Sequence, residues 1–188
     1  MPGCPKLRAK NTLSPYCTKH RVGYERYGHP LAKRLLPADY EEERYLISEL
    51  IDRNKDHEGV IDALEKLEDI LSQGRKGKSK GFLPEGTLKF VNNIVTRKPK
   101  TTSKQLLAIT AGLVLLSKRQ DSPIHDHRNL VYMVGYCVLA IPYRYLPPFV
   151  APWKKDGIKR RTPTDRNRRQ FGEYILSIVG VLAHNLAD

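Results

Sequence analysis

Leu106-Leu107-Ala108-Ile109-Thr110-Ala111-Gly112-Leu113-Val114-Leu115-Leu116 is the longest apolar run in the chain, eleven residues interrupted only by the hydroxyl of Thr110. Apolar positions fall nearly all round a 3.6-residue turn, so the run reads as a helix buried on every side. Thr101, Thr102 or Ser103 can cap its start, because a hydroxyl just outside a helix accepts from the free N–H groups of the first turn. A membrane span needs about 20 apolar residues, so this run reads instead as the central helix of a water-soluble core.

The helices that must cover it follow from the same period on either side. Residues 39–54 read as a helix with Asp39 at its cap and Glu41, Glu42 and Glu43 in the first turn, where the helix dipole favours anions. Residues 57–71 place Val60, Ile61, Leu64, Leu67, Ile70 and Leu71 on one face. The short polar turn between the two predicts an antiparallel helical hairpin over 39–72. Residues 84–96 carry Leu88, Val91, Ile94 and Val95 at helical spacing. Residues 130–141 read as a helix that Asp126 can cap, although Val131, Tyr132, Val134, Tyr136 and Val138 also suit a strand. Pro142, Pro147, Pro148 and Pro152 then enforce an irregular stretch. In the last helix Thr162 is the cap, Pro163 the first residue, and Phe171, Ile175, Ile178, Val179, Leu182 and Leu186 the buried stripe.

Charge is segregated along the 188 residues, whose net is +13. Residues 1–38 carry eight Lys and Arg against Glu25 alone; residues 39–70 carry twelve acids against four bases. Residues 71–104 carry nine bases against Glu85, and residues 154–169 carry eight bases against two acids. Such an excess points to an anionic partner, with DNA or RNA the commonest. Residues 73–81 hold three glycines among Arg75, Lys76, Lys78 and Lys80, which predicts a flexible basic loop. Its spacing is not that of a P-loop. A further basic segment holds Lys154, Lys155, Lys159, Arg160 and Arg161, then Arg166, Arg168 and Arg169 at the start of the last helix. Free N–H groups at a helix start also bind phosphate, and Trp153, Tyr143 and Tyr145 nearby could stack on unpaired bases.

Three cysteines, Cys4, Cys17 and Cys137, make no disulfide framework. Cys137 lies in an apolar run and reads as a small core residue. The first 20 residues lack the apolar core of a signal peptide. The expected location is therefore the reducing cytoplasm, with no membrane contact. There Cys4 and the tight pair Cys17-x2-His20 remain available as metal ligands, and His29 is the natural fourth. A segment of about 30 residues with so little apolar content rarely orders without a staple, and zinc can supply that folding free energy.

The run Cys17-x2-His20-x5-Arg26-Tyr27-Gly28-His29-Pro30 resembles a short zinc knuckle common in phage and mobile-element proteins, some of them similar to HNH nucleases. The likeness covers about residues 2–31, with Cys4 standing where the family has the second Cys of its first pair. It implies one structural Zn(2+) on Cys4, Cys17, His20 and His29. Arg8, Lys19, Arg21 and Arg26 would then be held on its surface for phosphate contact.

The sequence thus reads as mainly α: a zinc-knuckle module over 1–36 and a helical domain over 37–188, whose core spans 82–188. The expected function is nucleic-acid binding through phosphate contacts, as an accessory protein of a phage or other mobile element. Two alternatives stay open. The acidic hairpin 39–70 could engage a basic protein partner, making the chain a subunit or inhibitor of a larger machine. His125-Asp126-His127 could serve an HNH-like nuclease, but the second half of such a site is missing, and the chain reads as a binding protein rather than an enzyme.

Overall fold

Helix α5, Ser103–Ser117, is the hub around which the other helices are arranged. Leu106, Leu107, Ala111, Leu113 and Val114 expose no surface. The core hydroxyl of Thr110 donates to the Leu106 carbonyl at 2.9 Å, so no polar group in the helix is buried unpaired at that point. Thr102 is the cap: its hydroxyl accepts from the Gln105 N–H, and the Gln105 side chain accepts from the Thr102 N–H.

The computed structural model describes residues 16–80, 83–96, 100–141 and 163–187. Among them the fold is mainly helical and has no strand. The remaining helices are α1 Thr18–Tyr27, α2 Glu41–Arg53, α3 Glu58–Lys76, α4 Glu85–Thr96, α6 His127–Leu139 and α7 Asp165–Leu186. A single 3-10 turn, Pro37–Tyr40, leads into α2. Asp39 accepts from the Leu36 N–H within that turn, so it caps the turn and not the helix. None of these helices is long and apolar enough to cross a membrane.

The acidic pair α2 and α3 is present, but the expected hairpin packing is corrected. The chief partner of α2 is α5, and α3 lies against α4 and α5. An amphipathic helix has one apolar stripe to bury, and α5 is apolar all round, so each helix turns its stripe to α5 or α4 in preference to its acidic neighbour. The acids then face cations of the same chain. Glu43, only 1% exposed, pairs with Arg119 at 2.7 Å; Arg119 also reaches Glu42, and Lys104 reaches Asp52.

The first part of the basic stretch 73–81 is corrected as well: residues 73–76 are helical, while 77–80 lie outside any helix and Gly81 is outside the described residues. Helix α3 runs through Gly74, Arg75 and Lys76, and Gly77 ends it in the left-handed conformation. Gly74 stays helical because it is the point where α4 crosses: the Asn92 amide donates to its carbonyl at 2.8 Å, and a side chain there would strike Val91. Arg75 pairs with Glu68 and Lys80 with Asp69, so part of the basic run folds back on the acidic helix.

Helix α6 begins as expected, with the Asp126 carboxylate accepting from the Asn129 N–H at 2.7 Å. Its strand-suited residues are helical because Leu130 to Leu139 supply surface on all sides between α5 and α7. The cap of α7 is Thr164, paired with Asn167, two residues beyond the expected Thr162, which lies outside the described residues. Phe171, Ile175, Val179 and Ala183 form the fully buried stripe, with Ile178, Leu182 and Leu186 partly buried beside it.

Helices α6 and α7 approach so closely that only glycine fits at the crossing. A Cβ on Gly135 would fall inside the Arg168 carbonyl oxygen, and one on Gly172 inside that of Val131. This crossing sets where the first turn of α7 meets the outer face of α6, and a charged cleft forms there.

Candidate nucleic-acid interface

The cleft has a volume of about 610 Å³ and is open to solvent. Helix α6 supplies Tyr132 and Tyr136, four residues apart and therefore on one face. Their rings stack with centroids 6.1 Å apart and planes 11° from parallel. Helix α7 supplies Asp165 and Arg168 from its first turn, α1 supplies Arg26 and Tyr27 from its last, and the following segment supplies Arg34.

Inside the cleft, Arg168 donates to the Asp165 carboxylate at 2.7 Å and to the Tyr132 hydroxyl at 3.0 Å, while that hydroxyl donates to the same carboxylate. Burial is the main cause that pushes the Tyr132 phenol far above its ordinary value, so it stays a neutral donor. The Arg168 and Arg34 guanidinium groups both lie near the Tyr136 ring, 5.1 Å and 5.6 Å from its centroid. The Tyr27 ring meets Tyr132 edge-on at 5.5 Å. The hydrogen bond between Arg26 and Tyr27 raises the guanidinium further above its already high value. Among the described residues Asp165 is the single carboxylate against three guanidiniums in the lining, an excess of positive charge. Planar guanidinium forks match phosphate oxygens, and the exposed edges of tyrosine rings suit nucleobases.

Helix α1 is fastened to this face by the other basic residues. Arg128 donates to the Tyr24 hydroxyl at 2.7 Å with its guanidinium 4.6 Å from the ring centre, and Arg169 donates to the Glu25 carbonyl. The buried Asn129 amide donates to the Tyr27 carbonyl at 2.7 Å, and its oxygen accepts from the His125 N–H. Asn129→Ala removes both bonds and leaves two backbone groups short of partners. We expect a loss of about 2 kcal/mol in urea unfolding, together with faster proteolysis in residues 28–36, which should then detach from α6.

The sequence-derived residues divide as follows. Arg26 and Arg168 are in the cleft, Arg166 is exposed one residue into α7, and Arg169 fastens α1. Lys19 is exposed on α1, and Arg21 sits 3.8 Å from Glu25. Arg75 on α3 and Lys80, four residues beyond its end, are ion-paired with α3 carboxylates, with Lys76 and Lys78 exposed between them. Arg8, Lys154, Lys155, Lys159, Arg160 and Arg161 lie outside the described residues, as do Trp153, Tyr143 and Tyr145. Arg34, Tyr27, Tyr132 and Tyr136 also line the cleft, a role that their local sequence does not announce. Two tyrosines at i and i+4 in an otherwise aliphatic helix were the available signal, but that spacing also describes an ordinary core.

Cys17 and His20 do come together, with Sγ 3.5 Å from Nδ1 across the first turn of α1. Two ligands of one tetrahedral zinc stand about 3.5 Å apart, given Zn–S of about 2.3 Å and Zn–N of about 2.0 Å. The separation therefore fits a shared metal, and it equally fits a weak thiol–imidazole hydrogen bond. Cys4 is outside the described residues. His29 is not brought to the pair. It follows the Gly28 turn at the other end of α1, its ring lies tilted against His125 with centroids 4.3 Å apart, and burial followed by His125 lowers its pKa. Among the described residues no three His, Cys, Asp or Glu side chains converge on a metal position. Asp126 is engaged as the α6 cap, and His125, Asp126 and His127 line a smaller cleft of about 250 Å³ together with His184 of α7.

The site and fold together define a mainly α protein with an arginine- and tyrosine-lined cleft. Compared with family models, curated proteins and solved structures, the chain matches none.

Proposed function

We propose that the chain is a nucleic-acid-binding protein acting mainly through phosphate contacts, as an accessory factor of a phage or other mobile element. The observation that carries this reading is the convergence of Arg26, Arg34 and Arg168 beside Tyr136 in one open cleft. Three guanidiniums from three separate segments repel one another, and such an arrangement is favourable when an anion lies among them. The excess charge of the remaining basic segments would extend the contact along a polyanion. Binding of labelled DNA or RNA should be tight at low salt and fall steeply as salt rises. No retention of either at low salt sinks the proposal.

The reading includes a structural zinc held by Cys4, Cys17 and His20, the last two already at ligand separation. Zinc analysis should give close to one ion per chain, and Cys17→Ser should remove it. Chelation should raise hydrogen exchange over residues 1–31 and leave α5 protected, because α5 is buried without any help from α1. The resemblance implies His29 as the fourth ligand, but its place against His125 leads us to expect that His29→Ala leaves the zinc content unchanged. Protein that contains no zinc while residues 16–31 are already protected would refute the metal site.

A further inference from the structure

The cleft beside α7 is concave, and its rings line it from within. A duplex presents phosphates on a convex exterior and keeps its bases stacked inside, so it could touch the arginines but not reach the rings. A base that has left its stack can do both. The volume of about 610 Å³ lies within the range of sites for single small molecules. Arg26 and Arg34 are both exposed and form ion pairs with no carboxylate among the described residues, whereas Arg168 is anchored by Asp165 and Tyr132. Two guanidiniums are thus open to a ligand and a third is held rigid behind them. The rings of Tyr27 and Tyr136 are half-buried, with part of their surface facing the opening.

We propose that this cleft is a subsite for one unpaired nucleotide of a single strand, its phosphate held by Arg26 and Arg34 and its base set against Tyr136 and Tyr27. The inference rests on the nucleic-acid reading above and adds strand state to it. It assigns the exposed residue Arg34, which touches both the ring and the opening, a part in selecting single strands.

The test is fluorescence anisotropy on the full chain with labelled 20-nucleotide single strands, DNA and RNA, and the matching DNA duplex at low salt. At least one single strand should bind about tenfold more tightly than the duplex, the scale that stacking of one base supplies. Arg34→Gln is exposed and should fold normally; it should weaken single-strand binding about fivefold and duplex binding, which uses the guanidinium but not the ring, by less, so the preference for single strands should narrow. Tyr136→Leu should remove most of the preference for single strands, with circular dichroism confirming the fold. Equal affinity for single strand and duplex, or a preference that Arg34→Gln leaves intact, overturns the nucleotide subsite while the phosphate-contact reading stands. Failure of all three probes to bind overturns both.

Discussion

Gly172→Ala should cost the protein at least about 3 kcal/mol of stability, seen as a lower urea midpoint and a lower Tm. The added methyl falls inside the Val131 carbonyl oxygen, and that oxygen belongs to a helix backbone; α5 packs against both α6 and α7. Neither helix can withdraw without opening the most extensive helix contact among the described residues. Gly180 lies on the same helix, two turns further on, and is the internal control. A Cβ there meets nothing nearer than the Leu176 Cβ at 3.9 Å. Gly180→Ala removes the entropic cost of a helical glycine and should stabilise by about 0.5–1 kcal/mol. Opposite signs from one substitution type on one helix would establish the α6–α7 crossing. If Gly172→Ala is neutral, the two helices are not as close as described. Gly135→Ala should act like Gly172→Ala and also move Arg168, whose carbonyl it strikes, so any single-strand preference should weaken in whatever protein remains folded.

The second large effect is expected on binding. The double variant Arg26→Glu with Arg34→Glu changes the described cleft from three guanidiniums against one carboxylate to one against three. Affinity for a single strand at low salt should fall by about 100-fold, and the slope of log affinity against log salt should shrink by about 1.4, or 0.7 for each lost contact. Both side chains are exposed, so the fold should be unaffected. The matched control, Arg75→Glu with Lys80→Glu, alters residues that already face Glu68 and Asp69. It should reduce stability slightly through like-charge contact and affect binding much less. A larger loss in the control than in the cleft variant would place the nucleic-acid contact on α3 and remove the cleft from the proposal.

Five of the twelve acids over 39–70, Glu42, Glu43, Asp52, Glu68 and Asp69, pair with Arg119, Lys104, Arg75 and Lys80 of the same chain, so fewer of them are open to a basic partner. The His125-Asp126-His127 run begins a helix, where its aspartate serves the backbone.

What the sequence determined by itself was the helical character of the chain and where most helices begin. Those are local properties. The apolar run of α5 has the period of a helix whatever surrounds it, and Thr102 and Asp126 sit one residue before their helices and accept from the free N–H three residues on. Charge segregation is likewise a property of composition. The Cys17 and His20 pairing was legible because one helical turn brings residues three apart together.

Partner choice was decided only in three dimensions. Whether α3 packs on α2 or on α4 depends on which neighbour offers more apolar surface, and spacing along one chain does not contain that comparison. The continuation of α3 through Gly74 depends on α4 crossing at that residue, although glycine followed by cations reads locally as a loop. The cleft is the plainest instance. Arg26, Arg34, Tyr136 and Arg168 lie in separate parts of the sequence, and each alone is an ordinary surface or core residue. They meet because Gly135 and Gly172 let two helix backbones touch, and that close approach turns the first turn of α7 toward α1 and the outer face of α6.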